Sequence, residues 1–422
     1  MLLAYDARAP PSLITRAKSI DEMKIRAITI GVYLTPSDCL CKVTFTAKIA
    51  EANENLRKAQ AGLEELGYTV QTVRISFNSF EDWLIPALAS SNLTLLEVLT
   101  MINEILESLN VSFCSFGGAR TLDGIRLIPT ILHHCKLVSC SSILLSTNSE
   151  SITCDRQLSI EAAKTCLSVY RECGDLGNFR YCSSFHTPAN VPFFPASFHE
   201  GPESVVSIGL ENGDLLFLGC HAAKSYGEAN QTLVDIFTQA YVPIEAAVSS
   251  LCADLGVRYG GIDASLNPGL GLPDGVARWL ESLLPAHDNK FGHPGTLAAV
   301  STVTSAVKKL AGKIKLAGYS GLMLPVMEDM TLAERASEAP PCFTLRDLLL
   351  FSTVCGVGLD TVPISAQCSA EEIAAVYEEV GALAARYKKP LSCRLLPLPL
   401  NPGETTNVSS SYLCNTKVFP LS

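Results

Sequence analysis

From Lys24 onward, short β-branched or apolar runs alternate with longer stretches in which apolar positions recur every three to four residues, the pattern of strands and helices in βα units around a largely buried sheet. The first strand is predicted over 25–34, a helix over 43–66 stopped by Gly67, and a strand over 68–77. The rhythm continues with a helix over 93–109, a strand over 111–116, a helix over 122–135, a strand over 137–145 and a helix over 159–172. Two strand-like runs, 179–185 and 204–210, then bracket a loop rich in Pro and Phe. Asn212-Gly213 predicts an antiparallel hairpin into a further strand over 214–220. The second half carries helices over 228–255, 273–284, 296–310, 345–354 and 370–387, with strands over 259–266, 314–324, 359–364 and 391–398. Roughly ten strands without a long polar linker are most economically one closed or nearly closed α/β barrel over 24–422, with an antiparallel hairpin insertion, preceded by an N-terminal arm over 1–23. A split near 175–225 is the alternative.

Composition narrows the classes. A hydrophobic share of 48% against 18% charged residues belongs to a folded chain with a large core. The longest apolar stretch, 348–359, is about a dozen residues where a spanning helix needs roughly 20, so it reads as a buried helix and no membrane partner is expected. A formal net charge of −10, with no run of Lys and Arg, argues against a nucleic-acid partner. Residues 1–22 hold charges and paired prolines and lack the continuous apolar stretch of a secretory signal. Sixteen cysteines scattered singly through apolar segments suit a reducing compartment, so a cytoplasmic location is expected. Homo-oligomerisation stays open, because hydropathy does not separate an interface from a large core.

In βα folds chemistry collects where strands end, so polar or Gly-rich strand ends are the candidates. Gly117 and Gly118 can bring backbone N–H groups close to an anion, or make only a tight turn. Asp263 and Ser265 lie two apart in an apolar strand and so share a face. Glu328 and Asp329 follow an apolar run and precede a helix, which suits acid/base work, a metal, or the helix N-terminus itself. Cys355 and Asp360 flank a Gly-rich turn, where a nucleophilic thiol can be displayed; a buried structural thiol is the commoner outcome. Asn190, Phe194 and His199 sit in the Pro- and Phe-rich loop, His293 in a Gly/Pro loop, and Tyr319 and Ser320 between two glycines.

Familiar catalytic signatures fail. Gly318-Tyr319-Ser320-Gly321 lacks the last glycine of a nucleophile elbow, the spacing after Gly269-x-Gly271 is wrong for a dinucleotide loop, no Gly-Lys-Ser/Thr of a phosphate loop occurs, and Cys39-x-Cys41 has no second pair for zinc. Five ordered segments nevertheless resemble the domain of unknown function 711 family: 25–31 (IRAITIG), 190–199 (NVPFFPASFH), 291–298 (FGHPGTLA), 318–329 (GYSGLMLPVMED) and 355–363 (CGVGLDTVP). The resemblance implies a ten-stranded β/α barrel similar to pyruvate formate-lyase and anaerobic ribonucleotide reductase, in which a loop entering the barrel carries a radical-forming cysteine. Cys355 is the residue that analogy selects. Radical enzymes of that kind also carry a C-terminal glycine in an Arg-Val-x-Gly-like context, whereas Gly403 sits in Asn401-Pro402-Gly403-Glu404.

The expectation is therefore a non-radical enzyme acting on a small polar or anionic metabolite inside the barrel. Glu328, Asp329, Asp360 and Cys355 are its catalytic candidates. Gly117, Gly118, Asn190, Phe194, His199, Asp263, Ser265, His293, Tyr319 and Ser320 are its binding candidates. The alternative is a small-molecule-binding or regulatory protein without turnover. A divalent metal held by the carboxylates with His199 or His293 is a further option, and neither cofactor nor metal is named by any motif.

Overall fold

The structure, a computed structural model, describes residues 23–271, 274–285 and 289–421; all but the last residue of the expected arm, and the first residue of the helix expected over 273–284, lie outside them. Among the described residues ten strands form one mixed sheet: β1 (Lys24–Val32), β2 (Thr69–Val70), β3 (Val73–Phe77), β4 (Cys114–Ala119), β5 (Val138–Leu145), β6 (Tyr181–Phe185), β7 (Val205–Glu211), β8 (Arg258–Asp263), β9 (Gly358–Ser365) and β10 (Leu391–Leu398). Their order is β8-β7-β1-β3-β4-β5-β6-β10-β9, with β2 beside β1. The five central strands β1, β3, β4, β5 and β6 run parallel. Antiparallel seams β1·β7 and β6·β10 join them to two pairs that are internally parallel, β7·β8 and β9·β10.

Strands β4, β6, β7, β9 and β10 are buried along their whole length, as expected of strands covered on both faces. Helices supply much of the cover on one face, among them Lys42–Glu65, which buries Phe45, Ile49, Leu56 and Leu63, and Ala370–Tyr387, which buries Ile373, Tyr377 and Val380. One continuous apolar core runs through these elements from Met23 to Phe419.

A second, smaller apolar cluster contains Cys182, Val191, Phe193, Ala196, Tyr319, Met323 and Val357. It is built on the loop between β6 and β7, which is held by several strands at once. Thr29 Oγ1 of β1 donates to Pro192 O at 2.8 Å, Ser115 Oγ of β4 donates to Ser197 O at 2.6 Å, and His199 N donates to Phe77 O of β3 at 2.9 Å. Gly31 of β1 and Gly209 of β7 make the fit, because a Cβ at either would collide with the His199 ring or the Phe193 ring.

Among the described residues the hydrogen-bonded ladder is not closed: segment 314–325 makes isolated parallel bridges, Ile262↔Leu316 and Leu266↔Leu322 on the β8 side and Pro325↔Asp360 on the β9 side. Three expectations are corrected. Positive φ at Gly318 (58°) and Ser320 (43°) breaks the pleat that a strand over 314–324 needs. The hairpin after Asn212-Gly213 is absent, because both edges of β7 are already taken by β1 and β8, and the next residues form the short helix Leu215–Cys220. The apolar run 348–359 is not one helix either; the helix Leu345–Phe351 ends inside it and β9 starts at Gly358.

Candidate functional site

A cavity of about 400 Å³ lies where the central parallel strands begin and β9 and β10 pass. The early ends of the first set contribute Arg26 on β1, Arg74 on β3, Lys136 ahead of β5, and Arg180 with Cys182 at β6. The opposing wall brings Tyr319, Met323 and Glu328 from 319–328, Asp360 from β9, and Ser392 with Arg394 from β10. Phe193, Phe194, Pro195 and Ala196 of the loop close one side, and Ser410 and Tyr412 stand at the mouth.

The charged groups separate into a satisfied network and an unsatisfied remainder. Arg394, buried in β10, donates from Nη2 to Glu328 Oε1 at 2.6 Å and from Nε to Asp360 Oδ1 at 2.7 Å, with its guanidinium 4.8 Å from the Phe179 ring centre. Arg26 donates to Glu328 Oε2 at 3.4 Å and to Glu211, which also receives Lys24 at 3.4 Å and Gln71 at 2.9 Å. Lys24, Arg26 and Arg394 thus face Glu211, Glu328 and Asp360, and Lys24 also lies 3.8 Å from Asp274. Burial raises the Glu328 carboxyl above its ordinary range, and Arg394 opposes that rise without cancelling it.

Arg74 is different. Its Nε donates to Thr72 Oγ1 at 3.0 Å, and its guanidinium lies 5.5 Å from the Phe113 ring centre and 5.2 Å from that of Phe194. Among the described residues it makes no ion pair with a carboxylate. Burial, helped by the Arg26 and Arg394 charges, lowers it to about 9, so it remains a cation at neutral pH in a place that disfavours one. Tyr319 Oη and Ser392 Oγ are hydrogen-bonded at the cavity wall, and burial holds the nearby Cys182 thiol up at about 12, hence protonated.

Of the residues singled out from sequence, Phe194, Tyr319, Glu328 and Asp360 meet at this cavity. Asn190 and Ser320 instead line a second, smaller hollow of about 300 Å³. Asp263 serves its wall, accepting from Ser265 Oγ at 2.6 Å, Tyr319 N at 2.8 Å and Ser320 N at 2.9 Å. Asp329 turns away: it accepts from Thr331 N and Leu332 N as cap of the helix Met330–Ser337, and from Val276 N and Ala277 N. Cys355 is buried beside Gly358, whose N–H points at its sulfur at 3.4 Å, and does not line the cavity. Gly117 and Gly118 abut Asn78, Ser79 and Ile143 rather than a hollow, and His293 accepts from Lys290 N at 3.3 Å in the turn before a helix. Among the described residues no three His, Cys, Asp or Glu side chains are arranged to hold a metal ion.

His199 carries its own test. Asn190 Oδ1 can only accept, so His199 Nδ1 donates to it at 2.8 Å, leaving Nε2 buried and without a hydrogen bond among the described residues. Burial lowers the imidazole below its ordinary 6.5, so the unfolded chain binds the proton more readily. Stability contributed by neutral His199 is therefore complete above 6.5 and is lost as pH falls toward the folded value. His199→Gln is expected to flatten the fall in unfolding free energy below pH 6.5 by up to about 1.4 kcal/mol per pH unit, read by urea titration. A slope unchanged by the substitution would show that Nε2 accepts a proton at no penalty.

Fold and cavity together define a mixed α/β protein whose strands converge on an arginine-lined pocket. The chain belongs to the family described as Uncharacterised ACR (DUF711), whose model matches residues 18–409. Among its relatives, a UPF0210 protein of Pyrobaculum arsenaticum is 32% identical over 244 residues, 55% of this chain and 52% of that one, so the match spans about half the length of that relative. UPF0210 proteins of Thermoanaerobacter sp. (strain X514) and Syntrophobacter fumaroxidans match far more of both chains, at 28% identity over 94% and 90%, and at 26% over 90% and 86%. A solved structure of the anaerobic ribonucleotide reductase from Thermotoga maritima, in complex with dATP and CTP, aligns at a TM-score of 0.46 and 9% identity over 88% of this chain and 75% of that one. No helix among the described residues is long and apolar enough to cross a membrane.

The cavity residues that sequence reasoning missed are the arginines. Arg26, Arg74 and Arg394 each interrupt an apolar strand, in KIRAITIGV, VRISF and LSCRLLPL. A charge at such a position is the signal that finds them, since a strand covered on both faces tolerates one only beside a partner or a cavity.

Proposed function

We propose that the chain folds as a ten-stranded barrel, segment 314–325 standing in for a strand between β8 and β9, and that it is a non-radical enzyme acting on a small anionic metabolite in the 400 Å³ cavity. The observation that carries the reading is Arg74, a half-buried cation with no carboxylate partner among the described residues, framed by Phe113 and Phe194 at the cavity wall. An unpaired charge kept out of water is costly, and an anionic ligand removes that cost on binding. Glu328 is the acid/base group: burial favours its neutral form, Arg394 favours its charged form, and the balance leaves a carboxyl able to give or take a proton. A non-radical course is supported by Cys355, the cysteine that the radical analogy selects, which is buried beside Gly358 and does not line the cavity.

The test is incubation of purified protein with a polar-metabolite extract, read by mass spectrometry. One anionic compound is expected to be depleted well beyond one equivalent of protein. Glu328→Gln should slow its turnover on the order of 100-fold or more while still binding it, and Arg74→Ala should fail to bind it. Retention of full binding by Arg74→Ala would remove the basis of the reading. The second reading, binding without turnover, is favoured by the completeness with which Arg394 already satisfies Glu328 and Asp360. It predicts depletion of one equivalent only, indifferent to Glu328→Gln.

A further inference from the structure

Resting on the anion-binding reading of this cavity, the charge ledger at its wall specifies the ligand further. Of the charged residues that line it, Arg26 and Arg394 are matched by Glu328 and Asp360. Arg74, Lys136 and Arg180 remain, and among the described residues none of the three forms an ion pair. A monoanion leaves most of that excess uncompensated.

The excess has two poles. Arg74 sits on β3; Lys136 and Arg180 come immediately before β5 and β6, two and three strands further along the sheet. Adjacent strands lie about 4.8 Å apart, so the poles start from backbone roughly 10–14 Å apart. Arg180 spends its guanidinium on Leu132 O at 2.8 Å and on Cys135 O and Val138 O at 2.9 Å, so it contributes charge more than free donors. Lys136, on the exposed rim, is the mobile donor of that pole. Between the poles the wall is apolar and aromatic, through Phe113 and Phe194.

We infer that the ligand of this cavity is a dicarboxylate with an apolar spacer, one carboxylate on the Arg74 guanidinium and the other on Lys136, beside the charge of Arg180. Arg74 suits the inner carboxylate because a guanidinium fork receives it through two parallel hydrogen bonds, while the flexible ammonium at the rim adapts to the outer one. A phosphate concentrates both charges on one centre and reaches only one pole.

The experiment is calorimetric titration and thermal shift of the full chain, at matched ionic strength, with succinate, glutarate, adipate and pimelate, against hexanoate and inorganic phosphate. At least one diacid is expected to bind at least 10-fold tighter than hexanoate and than phosphate. Lys136→Met should bring that diacid to the affinity of hexanoate while leaving hexanoate binding intact; Arg74→Met should abolish binding of both, with circular dichroism and melting temperature confirming the fold. Equal affinity for hexanoate and the diacids, or a diacid preference surviving Lys136→Met, overturns the two-pole inference and leaves the anion-cavity reading standing. Phosphate binding tightest overturns it in favour of a single-centre dianion. No binding by any probe, together with an extract from which no anion is depleted, overturns both.

Discussion

Replacing Arg394 with methionine is expected to remove about 3–5 kcal/mol of unfolding free energy at neutral pH, the range found when one partner of a buried ion pair is deleted. The residue is 7% exposed and its side chain is the only described donor linking Glu328 to Asp360, residues that are themselves 5% and 8% exposed. Methionine fills much of the space and keeps contact with Phe179, so the loss measures the two carboxylates left facing each other rather than a void. The deficit is also expected to shrink in acid. Burial already raises Glu328 above its ordinary value of 4.5 with Arg394 present, and removing Arg394 takes away the largest influence opposing that rise. The folded variant then holds a proton that the unfolded chain has released, so its stability is regained as pH falls through the folded value toward 4.5. Urea denaturation at pH 7 and pH 5 reads both effects, and Arg394→Met with Glu328→Gln and Asp360→Asn should restore most of the loss at pH 7. A single variant that loses under about 1 kcal/mol would mean that water already solvates the pair.

Much of the architecture is legible because burial writes it into the sequence. Helices such as Lys42–Glu65, Leu95–Ser108 and Tyr226–Asp254 are anticipated within a few residues by their apolar spacing, and Gly67, at φ 92°, stops the first of them as its position suggests. The failures have a common cause, which is that pairing partners are decided by distant residues. Asn212-Gly213 is a good hairpin turn locally, yet β7 has no free edge on which to receive a returning strand. Segment 314–325 has strand composition, yet its backbone turns through positive φ at Gly318 and Ser320, so that the amides of Tyr319 and Ser320 reach Asp263.

The site was half legible for the same reason. Carboxylates and aromatics beside glycines and prolines point to Glu328, Asp360, Tyr319 and Phe194, because strand ends are where polar groups are tolerated. The cations escape that search, since no stretch of chain holds two of Arg26, Arg74, Arg180 and Arg394. A net charge of −10 therefore coexists with a cationic cavity. Net charge reports the average surface, and the ordering of strands decides which charges become neighbours.

Glu328 and Asp329 are adjacent in the chain, and substituting each is expected to give opposite results. Asp329 is fully buried and accepts four backbone N–H groups: Thr331 at 2.9 Å and Leu332 at 3.1 Å on one oxygen, Val276 at 2.7 Å and Ala277 at 3.1 Å on the other. Alanine there deprives a helix of its cap, about 1 kcal/mol, and strands buried amides at roughly 1–3 kcal/mol for each that finds no water. Asp329→Ala is therefore expected to lose about 4 kcal/mol or more of unfolding free energy, and Asp329→Asn about half of that, because its amide keeps one acceptor and turns a donor toward the other two amides. Glu328→Gln keeps an acceptor for Arg394 and is expected to lose on the order of 1 kcal/mol, while turnover of the depleted anion falls on the order of 100-fold or more. Denaturant titration and rate measurement on the three variants, at a temperature where all are folded, separate the roles. If Asp329→Ala is as stable as the parent and it is turnover that disappears, then Asp329 is the catalytic carboxylate, and the hydrogen bonds that turn it from the cavity must open during the reaction.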